Sequence, residues 1–263
     1  NFDMEYGVCL LPVVPMRTEP SEKEEQCSQL IFGDVFLILE KNKERALVES
    51  LYDGYRGWAD KKQIVEIDSE DFYFLSKAKP LYTAERLNLV RITNNRTKQT
   101  YIATLPFACC LFSSKYQIGN YTIEAPEVAL IKQTTFNQDK LKEYVDKFLY
   151  TSYLWGGKSS FGIDCSGFTQ SIFKLFGCKL RRDAALQAEQ CVEVRSLSEA
   201  KAGDLAFFHN SEGRIVHVGI LLSNNQIAHS SGYVRIDTID HKGIISSEDQ
   251  SYTHSLKQIR RYF

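Results

Sequence analysis

Tyr153-Leu154-Trp155-Gly156-Gly157, followed closely by Gly162-Ile163-Asp164-Cys165-Ser166-Gly167-Phe168, decides how this chain is read. Beyond the cysteine, apolar residues recur at Phe168, Ile172, Leu175 and Phe176, the spacing of a buried helix face, and Gly177 stands where a C-terminal cap belongs. Ser166 and Gly167 are poor interior helix residues, so Cys165 falls at a turn-to-helix junction. The first turn of a helix carries unpaired N–H groups and the positive end of the macrodipole. A thiol there is expected to ionise readily, and the thiolate is the reactive form. Cys165 reads as a nucleophile.

A nucleophile needs a base, and the base needs an orienting group. Ile215 to Leu222 reads as a buried strand carrying His217, Ser223-Asn224-Asn225 as a turn, and Gln226 to Gly232 as the returning strand carrying His229. Placing the two histidines directly opposite each other puts Leu221 across from Asn225 and requires an odd-length loop or a bulge. A two-residue Asn224-Asn225 turn would send the two rings to opposite faces. A catalytic reading therefore commits to a three- or five-residue loop or a bulge, with His217 as base and His229 as its orienter.

These motifs resemble the NlpC family of papain-like cell-wall cysteine peptidases. The matching pieces are YLWGG, DCSGF, RRDA at Arg181 to Ala184, AGDLAFF at Ala202 to Phe208, and HVGI at His217 to Ile220, all in the C-terminal half. Ala202 departs from the family's usual proline, at the expense of turn rigidity, and Ala184 stands where some relatives carry a substrate-contacting serine. The resemblance implies an α+β, papain-like domain in which Cys165 attacks a carbonyl carbon and Tyr153 helps hold the oxyanion beside the Cys165 N–H.

The first half reads differently. Short strand-like runs at Gly7 to Val14, Gly33 to Leu39 and Ala46 to Leu51 end in Asp53-Gly54-Tyr55-Arg56-Gly57-Trp58, a hairpin signal. This spacing suggests a small β-barrel over 1–66, and its motifs resemble bacterial SH3-like domains. Residues 67–133 are again strand-rich and read as a second, degenerate SH3-like barrel. A linker near Lys132 to Asn137 and an amphipathic helix over Asn137 to Leu149 then open a catalytic domain at 134–263.

NlpC enzymes with such barrels resemble γ-D-glutamyl-L-diamino acid endopeptidases, which cut murein peptides whose L-Ala amine is free. The resemblance implies negative charge at that ammonium and a wall that rejects longer N-terminal extensions, with Asp164 in the charge role, Glu19 and Tyr55 as partners from the first barrel, and Ser166 also facing substrate. Glu19 reads equally as a solvated loop acid, Tyr55 as barrel packing and Ser166 as a helix cap.

With 32 basic and 33 acidic residues, the chain presents no field that would draw it to nucleic acid or an anionic membrane. The runs Lys41 to Arg45 and Glu22 to Glu25 read as solvated loops, and no stretch approaches the ~20 apolar residues of a membrane span. Seven cysteines, an odd count without a Cys-x-x-Cys pair, suit neither a disulfide framework nor a zinc site and leave a free thiol. No metal or organic cofactor is implied; the expected partners are peptidoglycan-derived peptides, and a monomer is expected. The chain opens at Asn1, as expected of a processed or trimmed polypeptide, and a cell-envelope or secreted location is expected ahead of a cytoplasmic one.

Overall fold

Alternating apolar residues between Tyr6 and Ile67 give seven strands: β1 (Glu5–Val8), β2 (Val13–Arg17), β3 (Gln26–Ile31), β4 (Val35–Lys41), β5 (Arg45–Ser50), β6 (Arg56–Asp60) and β7 (Val65–Ile67). In this computed structural model, which describes residues 4–263, they form one antiparallel sheet in the order β3-β2-β6-β5-β4-β1-β7. The sheet curls around Val14, Met16, Leu30, Phe36, Val48 and Ala59. Asp68 then caps α1 (Ser69–Lys77), its side chain accepting from the Asp71 N–H.

Seven shorter strands follow: β8 (Leu81–Thr83), β9 (Asn88–Asn94), β10 (Thr100–Leu105), β11 (Cys110–Leu111), β12 (Lys115–Ile118), β13 (Tyr121–Glu124) and β14 (Leu130–Lys132). They make a four-stranded sheet, β10-β9-β13-β12, and a three-stranded one, β11-β8-β14. Val90, Ile92 and Ile123 share one apolar cluster with Val8 and Ile31 of the first sheet and Phe32 of the turn after β3. The described residues up to Gln133 accordingly pack as a single unit.

The second unit, 134–263, starts with α2 (Gln138–Phe148), capped by Asn137 and burying Leu141, Tyr144, Val145 and Phe148 along one face. A small hairpin of β15 (Lys158–Ser159) and β16 (Gly162–Ile163) leads into α3 (Cys165–Leu175), then α4 (Ala184–Gln187). The remaining strands are β17 (Val192–Val194), β18 (Leu205–His209), β19 (Ile215–Leu221), β20 (Gln226–Ser231), β21 (Tyr233–Ile239), β22 (Gly243–Ile245) and β23 (Tyr252–Arg261). Their order is β17-β23-β18-β19-β20-β21-β22, and β23 also pairs with β22, closing six strands into a small barrel. Phe208, Leu221, Ile227, Ile239 and Ile244 share its core, while α3 packs against β19 and β20.

The β19–β20 register corrects the sequence reading. His229 faces Gly219, not His217, and Leu221 faces Ile227. The loop does have odd length: the Leu222 N–H donates to the Gln226 carbonyl at 2.9 Å, leaving Ser223 to Asn225 as its tip. Direct opposition would need the hairpin to close one residue earlier on each strand, at Leu221 and Asn225. The histidines are instead diagonal neighbours on one face, close enough for two rings to meet.

At the Ala202 turn, the Asp204 carboxylate accepts from the Lys201 N–H at 2.8 Å and is held by Arg261 at 2.7 Å. A side-chain clasp thus stiffens the turn without proline.

Candidate active site

Three short devices set the start of α3. Asp164 is its N-cap and accepts from the Gly167 N–H at 2.7 Å. Gly167 lies so close to the Gly156-Gly157 turn that a Cβ would sit 2.3 Å from the Gly157 carbonyl oxygen, so no larger residue fits. The other Asp164 oxygen accepts from the Gly156 N–H at 3.0 Å, tying that turn to the cap.

Beneath the cap lies Arg182, only 2% exposed. Its Nη1 donates to Asp164 Oδ1 at 3.0 Å and to Ser166 Oγ at 2.9 Å, and its Nη2 donates to Asp164 Oδ2 at 2.7 Å. With the Ser166 hydroxyl also donating, Asp164 collects five donors from the protein itself. Asp164 and Ser166 are therefore framing groups whose polar atoms are already engaged. Arg182 was visible only as one letter of the RRDA motif; charge alone would have put it on the surface.

The β19–β20 ladder stops at the Gly219–His229 pair, although both strands continue. The start of α3 lies at this opening, and the backbone N–H groups of Val218 and Ser166 face the Cys165 sulfur. Burial, and then the Asp164 carboxylate, push the Cys165 thiol up to about 12, which reverses the expectation of a ready thiolate. Desolvation outweighs the helix dipole here. Tyr153 stands close to Cys165 and Asp164, and burial holds its phenol protonated.

The histidines form a directed chain. His217 Nε2 and His229 Nδ1 lie 2.9 Å apart, and His229 Nε2 is 2.7 Å from Asp237 Oδ2. Arg235 Nε donates to the same carboxylate oxygen at 2.8 Å and the Ser247 N–H donates to Oδ1, also at 2.8 Å. Burial opposes ionisation of Asp237, but hydrogen bonds from His229, Ser247 and Arg235 prevail and hold its carboxyl well below the usual range. Asp237 is thus an acceptor, so His229 carries its proton on Nε2 and accepts on Nδ1. His217 must then donate through Nε2, which leaves the Nδ1 lone pair as its basic site. Burial first, and then His229 and His254, keep His217 well below the usual imidazole range. Asp237 was not anticipated; the signal was its alternation with Arg235 on a strand next to that of His229.

His254 of β23 completes the cluster, stacked on His217 with ring centroids 4.1 Å apart and planes 23° from parallel. The three imidazoles offer nitrogens within 4.8 Å of one another. An ion must lie in the plane of every ring that binds it, and two stacked rings have no such common point nearby. The cluster as built does not fit a metal.

Glu19 and Tyr55 belong to the first unit. Glu19 is exposed in the loop after β2, and Tyr55 is half-buried against the first sheet's core, its N–H donating to Asp53 Oδ1 at 3.0 Å.

A thiol at the head of a helix, laid against an antiparallel barrel that carries its histidines, defines a papain-like cysteine hydrolase. Residues 150–254 match the NlpC/P60 family, and residues 16–64 match the bacterial dipeptidyl-peptidase Sh3 domain. The chain therefore carries an NlpC/P60 domain behind an SH3 domain of the bacterial dipeptidyl-peptidase type.

Among curated proteins, a γ-D-glutamyl-L-lysine dipeptidyl-peptidase of Bacillus subtilis is 29% identical over 256 residues, covering 90% of this chain and 81% of that protein. A protein of the same name from Bacillus cereus is 38% identical over 85 residues, only 25% of its own length. A probable endopeptidase NlpC homolog of Haemophilus influenzae is 37% identical over 105 residues, 55% of its length. Among solved structures, an NlpC/P60 family protein from Bacillus cereus superposes with a TM-score of 0.76 at 19% identity, covering 98% of this chain and 99% of that one. An NlpC/P60 endopeptidase from Photobacterium damselae gives 0.72 at 16% identity, covering 96% of this chain and 70% of that one. At these identities the two structures speak for the fold alone. No helix among the described residues is long and apolar enough to cross a membrane.

Proposed function

We propose that the protein hydrolyses the bond between γ-D-Glu and an L-diamino acid in peptidoglycan-derived peptides with a free N-terminal L-Ala, working at the cell envelope. The observation that carries the chemistry is the Asp237–His229–His217 chain, which fixes a lone pair on His217 Nδ1. The Bacillus subtilis relative, similar across most of the chain, supports the choice of bond.

In this mechanism Cys165 and His217 rest as neutral thiol and neutral imidazole. As the substrate carbonyl arrives, His217 Nδ1 takes the thiol proton while sulfur bonds to the carbonyl carbon. The oxyanion is held by the Cys165 N–H and the Tyr153 hydroxyl, a protonated donor at neutral pH. Collapse breaks the C–N bond, and His217 delivers its proton to the leaving amine, giving a thioester. Water then attacks as His217 takes its proton, and the departing sulfur recovers that proton. Asp237 and His229 hold the imidazolium through each step.

Asp164 presents little net charge to the substrate ammonium, because Arg182 neutralises it. Glu19 and Tyr55 as partners of the free amine rest on the SH3-type resemblance alone. Incubation with L-Ala-γ-D-Glu-L-Lys should release L-Ala-D-Glu and L-Lys by mass spectrometry, with the N-acetylated peptide cut at least ~100-fold more slowly. Release of fragments from intact cell wall with the free tripeptide untouched would overturn the bond and substrate assigned.

A further inference from the structure

We propose that His254 is a positioning residue for His217, its ring lying flat against the His217 ring so that the base is held in one orientation and only one of the two can carry a proton. This rests on the reading of Cys165 and His217 as the reactive pair. The hydrogen bond to His229 fixes where His217 Nε2 points, yet a ring can still pivot about a single hydrogen bond. A second contact across the face removes that freedom. His254 supplies it at 4.1 Å and 23°, while meeting the His229 ring edge-on at 5.6 Å and 86°. No other described aromatic ring stacks flat on His217: Phe208 meets it at 48° with centroids 5.7 Å apart.

His254 arrives from a distant strand. Ile244 of β22 lies opposite it, and the closure of the barrel brings its ring over β19. The groups around it are His217 from β19, His229 from β20, Asp237 and Arg235 from β21, the uncharged Phe208 from β18, and the hydroxyl of Thr253, 2.8 Å from its Nδ1. Burial, followed by His229, brings His254 down to about 4, so it is neutral at neutral pH. A neutral ring on the face of His217 tolerates the imidazolium that forms during catalysis, whereas a second charge at that distance repels it.

The test is the pH dependence of alkylation at Cys165 by iodoacetamide, read by peptide mass spectrometry, which requires no substrate. Wild type, His254→Phe, His254→Ala and His217→Ala are compared, each checked for folding by circular dichroism. His254→Ala should alkylate ~3- to 10-fold more slowly at neutral pH, the range of one lost aromatic contact. His254→Phe restores the flat face and should recover most of that rate. In both variants the acid limb should move toward neutral pH, because the competing imidazole is gone; a role limited to packing would leave the limb in place. Alkylation in His254→Ala at the wild-type rate with an unmoved limb would overturn the positioning role. Alkylation of Cys165 indifferent to His217→Ala would instead sink the reactive pair itself.

Discussion

His217 Nε2 and His229 Nδ1 lie 2.9 Å apart, although His229 faces Gly219, two residues along β19 from His217. That diagonal contact orders the protons of the site. It runs from the Asp237 carboxylate through both imidazoles and leaves one lone pair on His217, at Nδ1.

Asp237→Asn should therefore damage catalysis more than stability. The amide can donate to His229 Nε2 and invert the tautomers along the chain. We expect kcat to fall by ~10²-fold or more, with KM little changed, by analogy with loss of the orienting carboxylate in serine triads. Steady-state kinetics on the tripeptide checks this, and a kcat within a factor of about three of wild type would remove Asp237 from the chain.

The pH–rate profile follows from the depressed basicity of His217. As pH falls, activity is lost only when His217 takes up a proton in the free enzyme, and burial makes that happen well below the ordinary imidazole value near ~6.5. The thiol, pushed up to about 12, stays protonated through neutral pH. Thus kcat/KM should be level across pH 6.5 to 7.5, with its acid limb well below the ordinary imidazole value near ~6.5. A limb centred at ~6.5 or above would indicate an ordinary, solvated histidine.

Stability should respond to acid over a related window. The folded-state values of His217, His229 and His254 all lie below that of an unfolded histidine, so the unfolded chain binds more protons as pH drops. Stability present above ~6.5 is lost progressively toward the folded values, and for His254 that window ends at about 4. Asp237, depressed in the folded state, adds stability that is present above ~4 and is lost below it. Thermal unfolding at successive pH values should show Tm falling from pH 6.5 downward, and a Tm independent of pH between 6.5 and 4.5 would contradict the buried neutral cluster.

Arg182→Ala should be among the most disruptive single changes. It strands the Asp164 carboxylate beneath α3 and removes a donor from Ser166, at a cost of ~3–5 kcal/mol for a broken buried pair. Arg182→Lys cannot reproduce the two-pronged contact and should recover only part of it. Denaturant unfolding reads both effects, and a loss under ~1 kcal/mol for the alanine variant would show that Asp164 is solvated after all.

The residues that were legible in sequence are those whose signal is local. The head of α3 shows itself through Asp164, Cys165 and the apolar period beyond, and each histidine sits in an obvious strand. The catalytic reading required His217 and His229 to share a face, but alternation alone fixes neither the face nor the rung, and His229 faces Gly219 rather than His217. Arg182 was opaque because its burial depends on a carboxylate 18 positions earlier. His254 was opaque because only the closing of β22 on β23 carries it to the site. The direction of the Cys165 shift was misjudged because helix position is legible in sequence and desolvation is not.

The central claim is that Cys165 forms the covalent intermediate of a γ-D-glutamyl hydrolysis. Rapid acid quenching of the protein with L-Ala-γ-D-Glu-L-Lys, followed by mass spectrometry of intact and digested protein, tests it directly. The account predicts an L-Ala-γ-D-Glu acyl group on Cys165, with neither adduct nor turnover in Cys165→Ala. Continued release of L-Lys by Cys165→Ala would contradict it.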